Sequence, residues 1–484
     1  MALTSSEFES TVGRASRCKP VAATITLLLL LLAACGDDVD YFVLGGDYDP
    51  RFLDSGALDG SLQNPMDGGG SGGLYDAELP DGAYFLPDGR LVTDFLADED
   101  AGGTPELDIN TCSVAEDAAY EYNVPLLESG FALTPGPLDF GLAFVRQGSQ
   151  SPFRIDTAIV LASSGAPTPT TVLEGSQQIG ELALLSSIDG WLMAYTDNSA
   201  NKSELYAAGL SDTLALDPGR PIERLTNNDA IEARPALADV AGRPMGAWIE
   251  RGSGGSSLRT RLLSDASSRE VVAAAAGHQP MELSLAQMGT EGAALAWAEE
   301  QGQKGVWLLR IDADGAAIGE PLLMSSEAAP WSSVALATRT RDGGATVYSL
   351  GVAQVSSEVR FRRLDRDGSF RTDEVKVIGK PLQARDAGLA PLGGGFVVAY
   401  RALPDGTAIT QPEIRMLFIS RDGALAKDNA GRPISFPVAP AAQDGSPIQV
   451  KVSVDGHVMM AFVDGGAGGE HMLRIIRRRL DCGG

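Results

Sequence analysis

Carboxylates are the side chains in this 484-residue chain whose type and spacing could do chemistry. Asp197, Glu250, Glu299 with Glu300, and Asp464 each follow an apolar run that ends in a small residue and an aromatic. Gathered in one place, their oxygens would form an acidic collar for a cationic ligand or for a calcium ion, which prefers several oxygen donors. Two carboxylates about 5–10 Å apart could instead act as acid and base in glycoside cleavage. Arg146 and Arg401 stand at the same point after two other runs, so the expected collar is mixed in sign. Solvated loops on an acidic protein are the plainer expectation for all of these residues.

Other chemistries find few residues to use. Histidine occurs only at His278, His457 and His471, which argues against a histidine-based zinc site or a serine triad. Asp312 to Gly315 and Asp365 to Gly368 look like the opening of calcium loops but lack the closing bidentate glutamate. They read better as hairpin turns, as does Ser420 to Gly423, where the first aspartate is missing. No resident cofactor is expected, calcium in the collar excepted. The net charge of −26 makes nucleic acid a poor partner, because an acidic domain repels its phosphates, even though Arg474, Arg477, Arg478 and Arg479 cluster near the end of the chain.

The elements that must position these residues form a repeat. The pairs Ala143-Phe144, Ala194-Tyr195, Ala247-Trp248, Ala296-Trp297, Val347-Tyr348, Ala399-Tyr400 and Ala461-Phe462 recur, with 51, 53, 49, 51, 52 and 62 residues between successive aromatics. Each unit holds several apolar-alternating runs separated by turns, and none carries a sustained 3.6-residue period, so strands are expected and helices are not. A period near 50 with four short strands per unit predicts an all-β, seven-bladed β-propeller over 106–484. Immunoglobulin-like sandwiches need roughly twice that length. Alanine would let neighbouring blades approach, and the aromatic would fill the wedge that widens between them.

The last unit supplies only three strands, near Ile448 to Val454, Val458 to Val463 and His471 to Leu480. The missing outer strand is available before the first unit, around Tyr120 to Val124. An antiparallel pair there would bring Cys112 and Cys482 together as a disulfide, and would set Glu116, Asp117 and Glu121 against the arginines of the final strand. Free thiols are the alternative.

The N-terminus reads as an address. Arg14, Arg17 and Lys19 precede an uncharged run from Val21 to Leu32, too short to span a bilayer core comfortably but suited to a signal peptide. Leu32-Ala33-Ala34-Cys35-Gly36 resembles a bacterial lipobox. The resemblance implies that 1–34 is a signal peptide and that Cys35 carries fatty acyl chains of the palmitate class. Gly36 resembles the pattern that sends lipoproteins to the outer membrane. Residues 35–105 are acidic and glycine-rich and are expected to form a flexible tether; Ala83 to Val92, with a Pro-Asp-Gly turn between apolar runs, reads as a small hairpin docked on the domain, with a short recognition segment for a partner as the alternative.

Lipobox and repeats together resemble the broad class of bacterial lipoproteins whose exported part is a seven-bladed propeller. That resemblance is specific for architecture and not for activity; the long tether, the stable anchor, the rigid ring and the few reactive residues suit a monomeric, membrane-anchored binding or scaffold protein that engages a protein or a glycan at the channel face. A carboxylate-dependent glycan hydrolase or lyase is the runner-up, and a structural part of envelope assembly is a third reading.

Overall fold

The computed structural model describes the strands Ala83–Phe85 and Leu91–Thr93 and most of residues 109–481, short loop segments in that range excepted. Every named element in it is a β-strand. Seven four-stranded antiparallel sheets follow one another along the chain. Their first strands are Phe131–Pro135, Ile179–Ser187, Ile231–Val240, Pro280–Met288, Val334–Arg339, Gln383–Leu392 and Gln449–Val452. Each first strand touches the first strands before and after it, and the seventh touches the first, so the strands close a ring about a central axis. The protein is a seven-bladed β-propeller.

The burial of the second strands explains the repeat. In blade 1 the second strand, Phe140–Arg146, is buried at all but its last residue; Gly395–Leu403 of blade 6 is buried throughout. A strand packed between two neighbouring sheets has no solvent face, so it reads as a continuous apolar run rather than an alternating one. All seven small-aromatic pairs, from Ala143 and Phe144 to Ala461 and Phe462, are buried, none of their residues more than 3% exposed. Their packing role holds as expected. Outer strands differ: Ala317–Ser325 of blade 4 is exposed over most of its length, which suits a rim.

The Asp-Gly turns are hairpin turns of a slightly different kind from the expected one, in which both central residues would have positive φ. Only the glycines do, with Gly315 at 81°, Gly368 at 75° and Gly423 at 83°. The preceding aspartates do not have positive φ, and the glycine forms the bulge that ends a longer hairpin loop. In the first turn Gly315 N–H donates to Asp312 O and Asp312 N–H donates to Ala316 O; the Asp312 carboxylate accepts the amides of Asp314 and Ala316. That carboxylate serves the turn.

Blade 7 is completed from the front of the chain. Ser113–Val124 pairs with His471–Asp481, from Ser113 opposite Asp481 to Val124 opposite His471. This outer strand contains the expected Tyr120 to Val124 and extends it toward the N-terminus. The charge pairing is also present: Arg474 Nε lies 3.1 Å from Glu121, Arg477 pairs with Asp117, and Arg478 Nη2 lies 3.9 Å from Glu116. A shared cluster seals blade 1 against blade 7, with Phe131, Phe140 and Phe144 packed on Met459, Val463 and Ile475.

Ala83–Phe85 and Leu91–Thr93 pair as the expected hairpin. Cys35, the signal segment, Cys482, His278 and Glu300 lie outside the described residues. Among the described residues no helix is long and apolar enough to cross a membrane.

Candidate functional site

Two ends of the central channel have to be distinguished. The first strands enter at one end, where the loops after the second strands also lie: Ile179 pairs with Asp197, Glu232 with Glu250, and Pro280 with Glu299. The first strands leave at the other end, where turns connect them to the second strands. The expected collar belongs to the entry end. A cavity of about 630 Å³ opens in the exit half and is lined by the first strands of all seven blades.

The cavity wall is built by strand register. Counting two residues back from each small-aromatic pair and crossing to the first strand gives one ring of seven positions. It consists of Thr134, Leu185, Ala238, Ala286, Ala337, Ala390 and Lys451. All seven line the cavity. The preceding ring is Leu133, Leu184, Leu237, Leu285, Leu336, Leu389 and Val450. Small side chains in the first ring leave the space open, and branched ones in the second make its wall apolar. Asp239, Gln287, Thr338 and Ser453 add polar groups farther along the same strands.

Lys451 breaks the pattern of its ring. Half-buried, it is the one cation among the described lining residues. Enclosure lowers its pKa below the usual lysine range, and burial is the only cause acting on it.

At the entry end the expected collar residues are largely engaged with one another and with the blades. Arg401 has 0% exposure; its Nε donates to Asp386 Oδ2 at 2.7 Å, and its Nη1 donates to Asp464 Oδ1 at 2.7 Å and to Ala442 O at 2.8 Å. Asp464 Oδ2 accepts from Arg474 at 3.2 Å, and Arg474 in turn pairs with Glu121. The two signs foreseen in the collar thus neutralise each other in a chain that joins blade 6 to the closing strand. Arg146 pairs with buried Asp156 at 3.2 Å. Glu250 accepts from Arg259 at 2.8 Å and from Asn228 at 2.9 Å. Glu299 is buried at 2% exposure, and Asp197 is half-buried. Among the described residues no group of three or more His, Cys, Asp or Glu side chains is arranged to hold a metal ion, so the calcium reading finds no donor cluster there.

Arg234 also works at this end. It sits in a bulge of the blade 3 first strand with φ of 51°, in the left-handed region. Its guanidinium reaches Glu181 of blade 2 at 3.1 Å and Glu282 of blade 4 at 3.2 Å. A strained backbone of this kind costs about 1–3 kcal/mol and persists where contacts hold it. Here those contacts clamp three blades.

A buried carboxylate went unnoticed in the sequence. Glu232, at 2% exposure, lies across the strand pair from Glu250, and Asn228 Nδ2 donates to both, at 3.0 and 2.9 Å. Burial pushes Glu232 up to about 7; the Asn228 hydrogen bond opposes this, while the charges of Glu250 and Glu204 add to it. Glu204 is held by Thr226 Oγ1 at 2.8 Å and by Arg224 at 2.5 Å.

Neither a protein-family model nor a curated protein matches the chain. Among solved structures it is similar to the BP39L lectin from Burkholderia pseudomallei, at 11% identity and a TM-score of 0.49, covering 72% of this chain and 96% of the lectin. It is also similar to an alpha-L-arabinanase of Penicillium chrysogenum complexed with arabinobiose, at 11% identity and a TM-score of 0.42, covering 65% and 100% of the two chains. A protein from Dyadobacter fermentans follows, at 9% identity and a TM-score of 0.41, covering 77% and 100%. The likeness is one of fold. At these identities no site residue is carried over, and the function has to be argued from the ring itself.

Proposed function

We propose that the protein is a lipid-anchored binding protein of a bacterial envelope, and that its propeller receives a small ligand, or the end of a glycan or peptide chain, in the central cavity. The observation behind this reading is the cavity of about 630 Å³, walled by all seven blades. Its volume lies in the range of small-molecule sites, and its mostly aliphatic wall with few polar groups is the usual composition of such sites. A rigid ring suits binding because little has to be ordered when the ligand arrives. The anchor rests on Leu32-Ala33-Ala34-Cys35 and the basic and leucine-rich segments before it. Two or more acyl chains would hold the protein stably at a membrane, and 35–105 would give the ring reach.

Glycan cleavage is the second reading. Its strongest support is the pair Glu232 and Glu250, one pushed to about 7 and the other held by Arg259. A carboxyl group whose pKa is raised toward neutrality is what a general acid requires. Glu232, however, is 2% exposed, which leaves a sugar no approach to its carboxyl group. Binding is therefore the better account. The proposal also includes a Cys112–Cys482 bridge: Ser113, which follows Cys112 in the sequence, pairs with Asp481, which precedes Cys482, and Cys112 is buried at 6% exposure.

Two measurements test the proposal. Growth with an alkyne analogue of palmitate should label the wild-type protein and leave Cys35→Ser unlabelled; an unlabelled wild type would remove the anchor. A thermal-shift screen of sugars, peptides and aliphatic acids should find compounds that raise the wild-type Tm, and Ala286→Phe, which fills the cavity, should abolish the shift. Shifts that survive Ala286→Phe would move the site elsewhere.

A further inference from the structure

Lys451 is the feature of the cavity that packing does not explain. At its ring position the other six blades carry threonine, leucine or alanine, so ring geometry does not call for a long cation there. No hydrogen bond or ion pair joins its ammonium to another described residue. The cost of enclosing an ammonium without a partner is substantial. In a chain with 64 acidic residues, a carboxylate partner could readily have been supplied. Arg401, fully buried at the other end, has two such partners. An unpaired cation in a walled cavity is complete only when a ligand brings the opposite charge.

Resting on the cavity-binding reading above, we propose that the cavity takes a small aliphatic or alicyclic monocarboxylate, whose carboxylate pairs with Lys451 and whose body lies against the wall of leucines and alanines. The single positive charge matches one negative charge. The other ionisable groups that line the cavity are Asp239 and Asp481, both acidic. Asp239 is half-buried, with Oδ1 accepting the Gly242 amide at 2.7 Å, and Asp481 is exposed. Two carboxylates on the same cavity wall disfavour phosphates and other multiply charged anions, which would meet more repulsion than attraction. A neutral ligand of the same shape would leave Lys451 unpaired. Charge therefore selects between otherwise equal apolar bodies.

The test uses the full-length protein held in amphipol and two probes of similar shape, octanoate and octanamide, measured by isothermal titration calorimetry. Octanoate should bind at least tenfold more tightly than octanamide, whereas inorganic phosphate should not compete. In Lys451→Met, octanoate should fall to the level of octanamide while octanamide binding persists or improves. Equal binding of both probes to the wild type would overturn the charge pairing and leave the cavity reading standing. Binding of neither probe to either protein would overturn both. The comparison of the two probes on the wild type does not depend on how the variant folds.

Discussion

Arg401 and Glu232 show how this acidic protein handles buried charge. Arg401 is enclosed but divides its donors between Asp386 and Asp464, so the pair of carboxylates and the guanidinium satisfy one another across two blades. Glu232 has no basic partner and instead keeps its proton to about neutral pH. Its folded-state pKa lies above the ordinary value of 4.5, so the folded protein holds a proton that the unfolded chain releases between about 4.5 and 7. The stability it contributes is fully present below about 4.5 and is lost as the pH rises through about 7. That difference amounts to about 3 kcal/mol, at roughly 1.4 kcal/mol per decade. Glu232→Gln should remove this dependence: urea denaturation should show the variant more stable than wild type at pH 8 and similar to it at pH 4. A parallel pH dependence in both proteins would mean that Glu232 ionises freely.

Each first strand lies at the crowded centre of the ring, and its side chains are graded by how close the next blade comes. Opposite the small residue of each small-aromatic pair stand Ala132, Ala183, Ala236, Ser284, Ala335, Gly388 and Gln449. Five of the seven are alanine or glycine. Polar exceptions bond to the neighbour: Ser284 Oγ accepts the Leu336 amide at 3.0 Å, and Gln449 Nε2 donates to Phe131 O at 2.9 Å. Blade 6 meets blade 7 closely, since a Cβ on Gly388 would lie 2.0 Å from Ile448 O, a backbone atom. Gly388→Ala should therefore destabilise the ring by about 1–3 kcal/mol, the usual cost of overpacking a tight contact. The denaturation midpoint reads this directly, and an unchanged midpoint would mean that the two blades can separate freely.

A propeller ring holds only if its ends meet. Blade 7 takes its outer strand from Ser113–Val124, so residues more than three hundred positions apart share one sheet. Leaving that edge open would expose unpaired amides and carbonyls to other chains. The proposed Cys112–Cys482 bridge would lock the same joint, and the chain-entropy model assigns about 4–6 kcal/mol to a closed loop of this size. Non-reducing peptide mapping should recover the two cysteine peptides as one species. Reductant should lower the Tm of the wild type and leave that of Cys112→Ser unchanged. Free thiols in protein isolated without reductant would refute the bridge.

The number of blades, the strands per blade and the donor of the closing strand were legible in the sequence, because a strand buried on both faces must be apolar throughout and repeats its pattern at every blade. Chain order also exposes which strand is missing. The collar carboxylates were visible too, but their partners were not. Arg401 meets Asp464 from 63 positions away, and whether an acid faces solvent or an arginine depends on which blades touch. Lys451 carried a signal that only register makes readable. A leucine stands 10 or 11 residues before each small-aromatic pair in six units, and its follower is threonine, leucine or alanine; in the seventh unit the same two places hold Val450 and Lys451. The turns that join first to second strands differ in length and shift that count by a residue, so the ring of seven appears only once hydrogen bonds define who stands opposite whom. Local pattern decides which segments are strands. Tertiary contact decides which side chains share a wall, since those neighbours come from all seven blades.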